Sequence, residues 1–259
     1  QIDALSDEQI GFLSLAQLMA LTPTQIAAID AADLASLAPY RIAALDAKQL
    51  AALTAEQLVS LTSEQLAALN ATHIRALGKV QLQALTSEQF GSLTDLQVAA
   101  LTAKQLKLLT PADVAALSPD GIRALDGVQL AALSSSQVVA MSTAQVAAID
   151  AQDLAAVAAN RLTALRSDQV GALTTAQVRS LGTAQLAAID ADDLPQLGTA
   201  QLQVLSVSQL AALTSAQVMA LTGTQVGSLK NGQVAALTTA QVELLSDEQI
   251  GALSTEQVV

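Results

Sequence analysis

An eight-residue phrase, L-[T/S]-x-x-Q-[V/L/I]-x-A, repeats along the whole chain, and a period that short dictates an architecture before it permits an active site. The leucine beat runs through Leu5, Leu13, Leu21, Ile29, Leu37 and Leu45 and arrives in phase at Leu237, Leu245 and Leu253. The glutamine beat runs through Gln9, Gln17 and Gln25, then Gln49, Gln57 and Gln65, and on to Gln241, Gln249 and Gln257.

Read from its leucine, the octad carries a helix start. Its second position is Ser14, Thr22, Asp46, Thr54, Thr62, Asn70 or Thr86, the residue types favoured at helix N-caps. Gln follows three residues later, so T-x-x-Q reads as a capping box. The leucine before the cap and the aliphatic residue after the Gln stand where a hydrophobic staple would join them. In 61–66, Leu-Thr-Ser-Glu-Gln-Leu holds both signals. Pro23, Pro39, Pro111 and Pro119 fall directly after the cap, at the first helical position, where a missing N–H costs nothing. Pro195 stands elsewhere in its octad and should distort its turn. The small residue before each leucine (Ala44, Ala52, Ser60, Ala68, Ala76) predicts close approach by another segment. Positions three, four and seven, such as Glu56, Lys104, Arg179 and Glu243, vary as solvent-facing slots do.

One unbroken helix is the rival. Eight residues advance an ideal helix by roughly 800°, so the leucine seam would drift about 80° per repeat. The recurring caps and N1 prolines would then have no purpose. A β-solenoid needs period-two alternation and β-branched residues, and the octad has neither. The reading is an all-α solenoid of very short capped helices, one per octad, with residues 1–259 as a single continuous array cut from a longer one. Two aliphatic side chains cannot offset the backbone entropy of ordering eight residues, so neighbouring octads must close the core.

A longer period overlies the octad. Asp33, His73, Asp113, Asp153 and Asp193 replace the Gln, each forty residues from the next. Arg41, Gln81, Gly121, Arg161 and Gln201 occupy the following slot. Five octads thus make a super-repeat. If they complete one superhelical turn, the backbone diameter is roughly 16 Å. A coil of two or three octads would bury the same stripe and leave the longer period purely ancestral.

Composition narrows the function classes. A net charge of −12 argues against nucleic acid or an anionic membrane surface as partner. No apolar run is long enough to span a bilayer, so no membrane insertion is expected. Cysteine is absent, which removes disulfides and thiol chemistry, and the only aromatics are Phe12, Tyr40 and Phe90. The core must therefore be aliphatic.

The recurrent carboxyl pairs are Asp30/Asp33, Asp150/Asp153 and Asp190/Asp193, with Asp192 beside the last. Calcium along one edge is the functional reading, since hard oxygens suit that ion. Favourable interaction of Asp with helix N-termini is the structural one, and it prevails. The companion sites Asn70/His73, Thr110/Asp113 and Lys230/Gln233 do not keep the pair. Arg41 and Arg161 each follow an Asp by one octad and are expected to pair with Asp33 and Asp153. His73, the single histidine, has no catalytic neighbours in sequence. Threonine steps such as Thr174-Thr175 suggest a hydroxyl face, but the first hydroxyl is committed to capping. No residue is assigned a catalytic, cofactor-binding or metal role, and no cofactor is expected.

Runs such as L-T-T-A-Q-V at 173–178 and 237–242, with A-L-T-S-A-Q-V at 212–218, resemble the octapeptide tandem arrays of very large bacterial adhesin-like surface proteins. The resemblance covers the whole chain and carries no catalytic residues. It implies an extracellular or cell-surface location. The function expected is structural: a stalk, spacer or fibre segment, not an enzyme, whose partner is itself, coil to coil or end to end. The alternative is a repeat-built module binding a peptide, glycan or other ligand, with or without calcium.

Overall fold

The computed structural model describes the backbone of residues 7–258 and the side chains of 9–258. Among these, helices of four to six residues recur once per octad and no strand occurs. A single continuous helix is thereby excluded.

One octad accounts for nearly all its backbone polar groups locally. In the helix Ser63–Ala67, Thr62 is an extended N-cap (φ −71°, ψ 161°) whose hydroxyl accepts from Gln65 N. The Thr62 carbonyl accepts from Leu66 N at 2.9 Å, and Leu66 O accepts from Leu69 N at 3.0 Å. Thr62 N, stranded by the turn, donates to Gln65 Oε1 at 2.9 Å. The N1 amide is the spare donor, which is why Pro23, Pro39, Pro111 and Pro119 sit there unstrained. Chain reversal uses extended leucine and cap residues; no described residue has positive φ. Where the second position is Ala38, Ala158, Arg166 or Lys230, the side-chain cap is missing but the helix persists. Pro195 has the expected effect, since its octad tightens into a 3-10 turn, Ala191–Gln196.

The chain divides into two compact units, Gln1–Leu133 and Ser134–Val259. In the first, Ala55–Ser60 packs on Ala31–Ser36 and on Lys79–Ala84, each three octads away. In the second, Ala151–Ala156 packs on Thr175–Ser180, and Ser215–Ala220 on the 3-10 turn. Side-chain hydrogen bonds between coils span 25 to 31 residues. A coil within either unit therefore takes between three and four octads, and the five-octad turn is overturned. The reason is volume. Three to four octads of about 10 Å enclose a core roughly 11 Å wide, which one layer of aliphatic side chains can fill, whereas a wider bore would leave voids. The forty-residue period has no counterpart in the stacking.

Both apolar positions of the octad face this axis: Leu58, Leu61, Leu66 and Leu69 are all buried, and Phe90 is the one buried aromatic. The small residue before the leucine abuts the neighbouring coil as predicted; Ser60 Oγ donates to Ala31 O at 2.9 Å. Position seven is not uniformly solvent-facing. A Cβ added at Gly227 would lie 2.5 Å from the Ala252 carbonyl oxygen, so the backbones meet there.

Candidate functional site

The most repeated chemical group in the fold is the buried glutamine carboxamide. Burial of an amide is costly without full hydrogen bonding. Each carboxamide is satisfied by working in two directions. Gln97 shows the pattern. Its Oε1 accepts from Thr94 N at 2.9 Å, while its own N–H donates to Thr94 Oγ1 at 3.4 Å. Its Nε2 reaches the preceding coil and donates to Leu66 O at 2.6 Å and Leu69 O at 2.7 Å. Gln177 repeats this in the second unit, donating to Val146 O and Ile149 O at 2.8 Å each. The same amide joins Gln57 to Ile26 and Ile29, Gln105 to Ile74 and Leu77, and Gln249 to Val218 and Leu221. The result, in each unit, is a ladder of side-chain rungs between coils. No buried side-chain polar atom among the described residues lacks a partner.

The capping half of this arrangement was readable from T-x-x-Q; the rung half was not. A signal for it exists. A capping box accepts Glu as readily as Gln, yet Glu never occupies this slot in the chain. Only an amide can also donate to a carbonyl.

The substitutions in the slot take partial roles. Arg41 is buried and donates from its guanidinium to Gly11 O at 2.7 Å and Leu13 O at 2.5 Å. Asp33 was its expected partner; what Arg41 holds is the coil before, as a glutamine would. Arg161 is half-buried. His73 Nδ1 accepts from Asn70 N at 3.2 Å, standing in for Oε1. Burial pushes the His73 imidazole below its ordinary pKa, against the opposing pull of the Leu45 carbonyl and the Asp46 charge. Asp113 accepts from Thr110 N at 2.8 Å and from Ser87 Oγ at 2.9 Å. Gly121 has no side chain, and its N–H donates to Ser118 Oγ at 2.8 Å.

The paired aspartates divide their work. Asp30, Asp150 and Asp190 are N-caps, accepting from Ala32, Gln152 and Asp192 N respectively. Asp33 is buried, and Asp193 accepts from Ser167 Oγ. Among the described residues no three His, Cys, Asp or Glu side chains are grouped to hold a metal ion. The ion pairs Arg123–Asp120 and Arg166–Asp168 are exposed and local. The Arg166 guanidinium beside Asp168 holds that carboxyl below its usual range. A shallow groove of about 680 Å³ crosses stacked helices of the first unit, floored by Ala31, Ala55 and Ala84 and flanked by Val59, Asp30 and Glu56. No described helix is long and apolar enough to cross a membrane.

The arrangement supplies cohesion: a carboxamide is a poor nucleophile and base, and here both its ends are engaged. No curated protein matches the sequence. The family model of the ALTTAQ repeat matches at residues 26–63, 59–95, 109–143, 118–150, 146–183, 171–199, 186–223 and 226–259. Those six letters stand unaltered at 172–177 and 236–241, each ending on a glutamine of the ladder. With most of its length matched in this way, the chain belongs to the ALTTAQ repeat family.

Proposed function

We propose that the chain is a structural segment, a stalk, spacer or fibre element of an extracellular or surface bacterial protein, and not an enzyme. Residues 1–259 act in this reading as one continuous solenoid that associates with further copies end to end. One observation carries it. The side chain repeated most regularly, the glutamine, binds the coil to itself and leaves no recurrent polar group for a ligand. Small-angle scattering of chains with added or removed super-repeats tests it. The expected result is a maximum dimension that grows linearly with octad number; a compact particle of constant shape would refute the reading.

A second reading is favoured by the groove beside Val59. Its apolar floor and two carboxyl groups suit a peptide carrying a basic side chain, which would make this region a binding module. Immobilised basic peptides captured by the native chain, but not by Glu56→Lys, would establish it. A calcium titration by calorimetry decides whether the Asp edge contributes; no heat of binding is expected.

A further inference from the structure

The ladder has a direction, and its two edges are complementary. In every rung the glutamine lies later in sequence than the carbonyls it binds: Gln49 reaches Leu21 O at 2.8 Å, and Gln257 reaches Leu229 O. Gln17 and Gln25 in the first described coil make their caps, through Ser14 N and Thr22 N, but donate to no described carbonyl. Gln17 is exposed and Gln25 half-buried, whereas Gln49, Gln57 and Gln65 are buried. In the last coil the opposite groups are open: the carbonyls of Leu237, Leu245 and Leu253 receive no glutamine.

The apolar side chains repeat this polarity. At the first edge the residues after the glutamines, Leu18 and Ile26, are buried, while the beat leucines Leu13 and Leu21 are half-exposed. At the last edge Val242 and Ile250 are 47% and 49% exposed, although the same position at Val218 and Val226 is 1% exposed. One edge thus offers amide donors and leucines, and the other offers carbonyl acceptors and the aliphatic side chains those leucines cover elsewhere.

We propose that the last coil of one chain docks on the first coil of a second copy, head to tail. Gln17 and Gln25 of the incoming copy donate to carbonyls of the last coil, and Leu13 and Leu21 cover Val242 and Ile250. This rests on the spacer reading and deepens it by naming the joint and its polarity. Head-to-head contact would set amide against amide and is disfavoured. A heterologous contact between unlike edges does not close on itself, so it gives an open filament. Flanking octads of a longer array would make the same joint.

Light scattering of the 259-residue chain from micromolar to millimolar concentration tests this. The expected mass rises with concentration in whole multiples of the monomer. Gln17→Glu with Gln25→Glu keeps the capping oxygen and removes the donor; Val242→Asp with Ile250→Asp spoils the other edge. Each double variant should stay monomeric with unchanged helical circular dichroism, and an equimolar mixture should stop at twice the monomer mass, because each partner keeps one sound edge. A native chain that remains monomeric throughout, variants that assemble like it, or a mixture that does not dimerise would each overturn the joint. A monomer that scatters as a rod overturns only the joint, whereas a compact globule overturns the spacer reading itself.

Discussion

Residues 94–97 and 110–121 lie one coil apart in the first unit and are written in the same octad grammar, yet they hold the neighbouring coil differently. At Gln97 one carboxamide closes its own helix and donates twice to the coil before it. At Asp113 the cap is intact, but both carboxyl oxygens act as acceptors, and the link between coils comes from Ser87 Oγ. At Gly121 the slot has no side chain to send back. Capping and cross-linking are therefore separable functions that glutamine happens to unite. Losing the second leaves the helix in place and thins the bonding between coils.

The sharpest way to break the contrast is Gln97→Ala. It strips the Thr94 amide of its acceptor and the Leu66 and Leu69 carbonyls of their donor, a loss of about 2–4 kcal/mol in urea unfolding. Thr94→Ala removes only the cap and should cost about 1 kcal/mol, with the rung intact. Asp113→Gln should move its octad toward Gln97 behaviour. The new amide can reach the carbonyls of Leu82 and Leu85, and hydrogen exchange there should slow, with a gain of about 1 kcal/mol. Ser87→Ala should cost no more than about 1 kcal/mol and leave the Thr110 cap untouched.

The smallest effect expected is at His73. Its folded pKa is lowered by burial from an ordinary 6.5, so the neutral ring is the form the fold prefers. Its contribution is complete above that ordinary value and declines as pH falls through it toward the lowered folded value. Asp46 and Lys48 on the coil before, Arg75 on its own helix and Asp95 on the coil after are the charged groups on the elements packed around it. His73→Gln should remove that part of the acid sensitivity; an unchanged pH profile of the melting temperature would show the ring to be irrelevant to it.

What could be read from sequence was whatever lies within eight residues. Thr62 and Gln65 find each other inside one turn, and Pro111 declares its place by the donor it lacks. The partners of the amide were hidden for two reasons. They are backbone carbonyls, which every residue type carries, and Leu69 stands 28 residues before Gln97, three and a half octads, so no whole number of repeats points to it. The same fraction hid the coil size, and the forty-residue period offered a false ruler. Gly227 could have been noticed as an exception at position seven, but its neighbour Ala252 is recognisable only once the coil is known.

Because each amide addresses a main-chain oxygen through a fixed offset, it cares nothing for which octad supplies that oxygen. Inserting or deleting one whole phrase in mid-array renumbers every partnership downstream of the change and degrades none of them, since the replacement acceptor is chemically the same. Slippage of the gene by a multiple of twenty-four bases should thus be invisible to folding. Copy number in such a tract is then free to be set by whatever selects for reach.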